Sequence, residues 1–188
     1  MTVAGDTRMR MIRQAAKLFR GQGYAATGFR EIVEKAETHR GVIYHHFPRG
    51  KAELAEEVVR LVDGTVGPAI EAVCANQEPV SAMRAVLAGA KMVMTGGGQR
   101  PGCPIAAVAL GAGPGDAELL TATRDVFRQW QVPFRDCLRR NGFEEADATN
   151  LATLLIAGLE GALVLCRTEG DTEPLDRVAD ALERALRP

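Results

Sequence analysis

The sequence predicts an all-α protein of about nine helices: a three-helix head at residues 1–50 carried on a larger helical body at 51–188. Two observations predict it. Apolar residues recur at i, i+3, i+4 and i+7 nearly everywhere, and no run of β-branched residues alternates in and out as a strand would. A length of 188 residues allows one or two domains with a sizeable core.

The first helix is expected to start at Asp6 or Thr7, either of which can cap it. Met9, Ile12, Ala15, Ala16 and Phe19 form its apolar stripe, with Arg8, Arg10, Arg13, Lys17 and Arg20 largely off it. Gly21-Gln22-Gly23 ends it. Thr27 is the expected N-cap of a short second helix that packs Phe29, Ile32, Val33 and Ala36 inward. Glu37-Thr38 breaks that helix, and a third runs from near His39 to His46. Val42, Ile43 and Phe47 face its neighbours, which leaves Arg40, Tyr44 and His45 pointing elsewhere.

Pro48-Arg49-Gly50 stops the chain, and Lys51 opens a longer helix expected to weaken around Gly64 to Pro68. Pro79 opens the next, which contains Met83, Met92 and Met94. Residues 96–104 form a loop, and Ile105–Leu110 a short apolar helix. A helix over 116–140 is expected to kink at Pro133, which has no N–H to donate. The helix over 145–168 carries leucines around most of its circumference, so it should be buried on more than one side. Thr172 and Pro174 start the last helix, with the stripe Leu175, Val178, Ala179, Leu182, Ala185 and Leu186.

Two short helices joined by a tight turn and braced by a third describe a helix-turn-helix DNA reader, whose second helix fits the major groove. Arg40 can donate to phosphate or guanine, Tyr44 and His45 can reach phosphates or bases, and Gly41 lets the backbone come close. The helix N-termini near Thr27 and Lys51 can clamp phosphates through unpaired N–H groups. Charge agrees with this assignment. Residues 1–60 carry 11 Lys/Arg against 7 Asp/Glu, whereas residues 61–188 carry 12 against 17. A basic front end on an acidic body directs only the head toward a polyanion.

Residues 8–58 resemble the DNA-binding domain of the TetR family of transcriptional regulators. The resemblance runs through Ile12-x-x-Ala15-Ala16-x-x-Phe19, Gly23-Tyr24, Thr27-x-x-Arg30-x-Ile32, Ala36, Gly41 to Phe47 and Lys51-x-x-Leu54. Tyr44-His45-His46-Phe47-Pro48, Gly50-Lys51 and Gly102-Cys103-Pro104-Ile105 are similar to the LmrA/YxaF-type subgroup. The family usually has glycine where Glu37 stands, a small capping residue where His39 stands, and often a hydroxyl residue where Val42 stands. The expected DNA face is Thr27, Arg30, His39, Arg40, Gly41, Tyr44, His45 and Lys51. The resemblance implies a one-component regulator, a repressor released from double-stranded operator DNA when a small-molecule effector binds the body.

Met83, Met92, Met94, Cys103, Phe127, Trp130 and Phe134 are the candidate pocket residues, because methionine and aromatic side chains adapt to varied ligands. The wide apolar faces of the last two helices call for a homodimeric four-helix bundle, and two heads would then read a near-palindromic site. The expected location is the cytoplasm, with no membrane contact. Residues 1–20 lack the apolar segment of a secretory signal, and the run Leu151–Cys166 is interrupted by Glu160. The four cysteines show no CxxC spacing.

Other chemistry finds little support. His45 and His46 diverge by about 100° on a helix, and no Cys or carboxylate completes a metal site. Gly96-Gly97-Gly98 is followed by no Lys-Ser/Thr and so is not a phosphate loop. No catalytic residue, cofactor or metal is expected. The alternative is a helical enzyme or carrier of small molecules whose head is only a docking module.

Overall fold

The 3.6-residue apolar period is realised as nine α-helices among the described residues, 3–96 and 102–187, of a computed structural model. They are α1 (Val3–Gln22), α2 (Phe29–Lys35), α3 (Arg40–His46), α4 (Lys51–Asn76), α5 (Pro79–Thr95), α6 (Pro104–Gly111), α7 (Ala117–Arg140), α8 (Glu145–Glu169) and α9 (Glu173–Ala185). No strand occurs among those residues. The all-α prediction therefore holds.

Several local expectations are corrected. Helix α1 begins at Val3, ahead of Asp6, and its buried face is Met11, Ile12, Ala15 and Phe19, with Met9 only half-buried. Gly28, not Thr27, occupies the N-cap of α2. Helix α4 does not weaken at Gly64–Pro68 but runs through Pro68. Helix α7 carries Pro133 inside it, as expected. Buried residues on both sides of Pro68 hold α4: Val58 and Val59 before it, Ile70 and Cys74 after it. Packing outweighs the lost backbone bond there.

The chain divides into two units. The first comprises Met1–Gly64 and Cys103–Asp125. In it α1 packs on α2 and on α6 around Phe19, Ile32, Ile43, Phe47, Leu54 and Ile105, all essentially inaccessible. Phe47 also lies beneath the Arg8 guanidinium, 5.2 Å from the ring centroid, and Arg8 pairs with Glu57 at 3.2 Å. The end of α6 comes close to the turn after α1. A Cβ on Gly111 would stand 3.0 Å from the Ala25 nitrogen and 3.2 Å from the Tyr24 Cβ, so this contact needs a residue without a side chain.

The second unit comprises Thr65–Gly102 and Val126–Pro188. Here α9 packs on α8 and α5, burying Leu175, Ala179 and Leu182. Ion pairs from Arg84 to Asp180 and Glu183, and from Lys91 to Asp176, tie α5 to α9. Helix α8 buries Ala152, Leu155, Ile156, Leu159, Ala162, Leu163 and Cys166, but Leu154, Val164 and Leu165 are exposed. Within the chain, α9 and α5 cover only part of its circumference. By length and composition α8 would suffice to cross a membrane, being longer than its leucine run.

Cys74, Cys137 and Cys166 are buried thiols, and desolvation raises the pKa of each, that of Cys74 to about 12. Cys103 is half-buried at the N-cap of α6.

Candidate nucleic-acid interface

The turn between α2 and α3 is a Schellman motif built without glycine. The Thr38 N–H donates to the Val33 carbonyl at 3.2 Å and the Glu37 N–H to that of Glu34 at 3.1 Å. This pairing satisfies carbonyls at the end of α2, but it requires Glu37 to take φ of 51°, the left-handed region. Glu37 thus takes the turn without glycine's freedom. His39 then serves as N-cap of α3 with extended backbone, and no side-chain bond caps the helix.

Helix α3 is anchored by one face. Ile43 and Phe47 are buried, and Val42 is half-buried. The opposite face carries Gly41, Tyr44 and His45, all exposed, with Tyr44 66% accessible. The backbone of Arg40 starts α3, and its side chain lies outside the described residues. Gly41 has open space where a Cβ would stand, so no contact within the chain demands glycine there. Tyr44 is steadied by an edge-on contact with Phe29 of α2, 6.0 Å between centroids. Phe29, expected as a core residue, is only half-buried and instead props Tyr44, a pairing that sequence spacing does not reveal. Arg30 is exposed on α2. Gln22 donates to Glu31 at 2.7 Å and ties the first turn of α2 to α1.

Thr27 and Lys51 lie elsewhere than expected. Thr27 is buried to 1% accessibility, and its hydroxyl donates to the Gly23 carbonyl at 2.7 Å. Lys51 donates from Nζ to the carbonyls of Tyr24 at 3.0 Å and Thr27 at 3.1 Å, and its ammonium sits 4.3 Å from the Tyr24 ring centroid. Desolvation lowers the Lys51 pKa, partly offset by Asp116. Both side chains are spent on the turn at 24–27. After α3, Arg49 is gripped through both nitrogens by Glu56, at 3.0 and 2.9 Å, and its own N–H donates to Glu53 at 2.9 Å. These bonds fix the corner between α3 and α4.

His45 and His46 meet edge-on at 5.4 Å between centroids. Burial, His45 and Arg8 together hold the His46 pKa below its ordinary value. No group of His, Cys, Asp and Glu suited to a metal occurs among the described residues.

The candidate pocket residues divide. Met83, Met94, Trp130 and Phe134 are buried in the second unit, and Phe127 meets Trp130 edge-on at 5.8 Å. Phe134 lines a cavity of about 10 Å³, room for about one water and no more. Met92 is 74% accessible and encloses nothing, because it faces outward on α5 where Met83, Leu87 and Met94 face in. Cys103 belongs to the first unit.

Known proteins bear on this geometry. Residues 11–58 match the family model for bacterial regulatory proteins of the tetR family, and residues 79–181 that for the C-terminal domain of LmrA/YxaF-like transcriptional regulators. The HTH-type transcriptional regulator YxaF of Bacillus subtilis is 32% identical over 188 residues, covering 100% of this chain and 98% of that protein. LmrA of the same organism, also an HTH-type transcriptional regulator, is 26% identical, covering 97% and 98%. A solved TetR transcriptional regulator from Chloroflexus aurantiacus J-10-FL is 29% identical with a TM-score of 0.81, covering 97% of this chain and 94% of that one. The chain therefore belongs to the TetR family of transcriptional regulators, with an LmrA/YxaF-like C-terminal domain, and is a helix-turn-helix DNA-binding regulator and not an enzyme.

Proposed function

We propose that the protein is a homodimeric cytoplasmic repressor that binds a near-palindromic operator and leaves it when a small molecule binds. One observation carries the DNA reading. Helix α3 is anchored by Ile43 and Phe47 and presents Gly41, Tyr44 and His45 outward, behind a turn fixed by a Schellman motif. Arg30, His39 and Arg40 complete the proposed reading face. Thr27 and Lys51 support it by holding the 24–27 turn. Residues 1–50 act as the DNA-binding domain, and 51–188 bind the effector and dimerise.

The proposed dimer surface is centred on α8, because α9 already spends its apolar stripe inside the chain while Leu154, Val164 and Leu165 remain uncovered. The effector reading draws on the family and on Met83, Met94, Phe127, Trp130 and Phe134; Met92 is the least enclosed candidate. For release, the effector must bind the freed state more tightly than the DNA-bound one.

Selection of bound sequences from a random DNA pool tests the reading. Two half-sites with centres roughly 34 Å apart are expected. A pool that yields no preferred sequence would remove the operator reading. Tyr44→Ala should weaken binding to the selected site by about tenfold, a loss of about 1.4 kcal/mol, by mobility shift. Unchanged affinity would take Tyr44 off the reading face.

A further inference from the structure

The first unit contains a second cationic feature that the DNA reading does not use. Arg10, Arg13, Lys17 and Arg20 follow one another at spacings of three, four and three, which places them along one face of α1. They line one side of a groove of about 450 Å³. Gln14 and Ala16 of α1 also line it, and the side facing α1 is apolar: Leu61 and Val62 of α4 and Pro104 of α6. Among the described residues no acidic side chain lines it.

The state of these cations matters. Arg10 pairs with Asp6 at 3.7 Å. The side chains of Arg13 and Lys17 have no hydrogen bond or ion pair among the described residues. They are like charges four residues apart on one helix face, an arrangement that costs stability unless an anion bridges it. The volume lies within the range of small-ligand sites, and an Arg beside a Lys suits a phosphate or carboxylate. Leu61 and Val62 lie ten and eleven residues past Lys51, about 15 Å along α4 from the end that follows the reading helix. That distance favours a free anion over operator phosphates as the occupant.

We propose that this groove is a ligand site for a small amphipathic anion. Its phosphate or carboxylate head is held by Arg13 and Lys17, with Arg10 flanking, and its apolar body lies on Leu61, Val62 and Pro104. The site is separate from the effector region proposed in the second unit and does not depend on the DNA reading.

Calorimetric titration with octyl phosphate tests it, with octanol as the uncharged control. One octyl phosphate should bind per chain, more weakly as salt rises, and octanol should not bind. Arg13→Ala combined with Lys17→Ala should weaken octyl phosphate by about tenfold or more. Both positions are exposed on a helix, where alanine is favourable, so the double variant should fold, and a thermal melt checks this. Absence of binding, equal binding of octanol, or full binding by the double variant would overturn the proposal. Operator affinity of the double variant should match wild type. Lost operator binding together with no octyl phosphate binding by wild type would identify the groove as a DNA-backbone contact instead.

Discussion

Glu37 stores a cost in the reading head. A non-glycine residue at φ of 51° is disfavoured by about 1–2 kcal/mol, while glycine there would lose roughly 0.5–1 kcal/mol in chain entropy. Glu37→Gly should therefore stabilise the protein by about 0.5 kcal/mol, seen as a higher denaturation midpoint. It should also tighten operator binding by removing a negative charge beside the proposed DNA face; a lowered midpoint would show that the turn draws on some contact of the Glu37 side chain. This strain was legible in the sequence, because the Glu stands where a helix pair turns. The fate of Lys51 was not. Its ammonium reaches carbonyls 24 and 27 residues earlier, and nothing in local spacing announces such a bond. His46 adds a pH dependence. Its folded pKa lies below the ordinary value of 6.5, so its contribution to stability is complete above that value and fades as pH falls through the lowered one. His46→Gln should lose less stability than wild type between pH 7.5 and pH 5 in thermal melts. Parallel pH profiles for the two proteins would exclude His46 as the source.

Among the elements, α6 depends most on a single contact. Gly111→Ala places a methyl 3.0 Å from the Ala25 nitrogen, and the neighbour is backbone, which cannot swing aside. Overpacking of this kind costs roughly 1–3 kcal/mol, against at most about 1 kcal/mol gained in helix propensity. A net loss of about 1 kcal/mol is the expected outcome in chemical denaturation, and an unchanged midpoint would show that the turn at 24–25 yields. The helices themselves were readable from the 3.6 period, α3 and α9 nearly to the residue. The misread stretches were Gly64–Pro68, where a strong local helix breaker lies between segments buried on both sides, and the start of α2. There a good capping residue, Thr27, uses its hydroxyl on the preceding turn instead. At Gly64–Pro68 distant packing overrode a local signal, and at Thr27 a competing hydrogen bond four residues back did so.

For the molecule as a whole, the exposed stripe of α8 is the proposed seat of assembly. Leu154, Val164 and Leu165 are large, apolar and uncovered in one chain. Val164→Asp would bury an unpaired charge in the proposed interface while costing the isolated chain little. Gel filtration at micromolar concentration should show a dimer for wild type and a shift toward monomer for the variant. A variant that stays dimeric would move the interface off α8. The sequence showed that α8 was too apolar for one covered face, but it could not show that α9 would be consumed within the chain, since pairing partners are a tertiary matter. The four cysteines carry a practical consequence. Three are buried thiols with raised pKa values, so few are thiolates at neutral pH, while Cys103 alone is partly accessible, where α6 begins. A maleimide fluorophore will thus attach at one position per native chain without mutagenesis, giving an optical reporter at the start of the helix whose far end rests on the turn before the DNA reader.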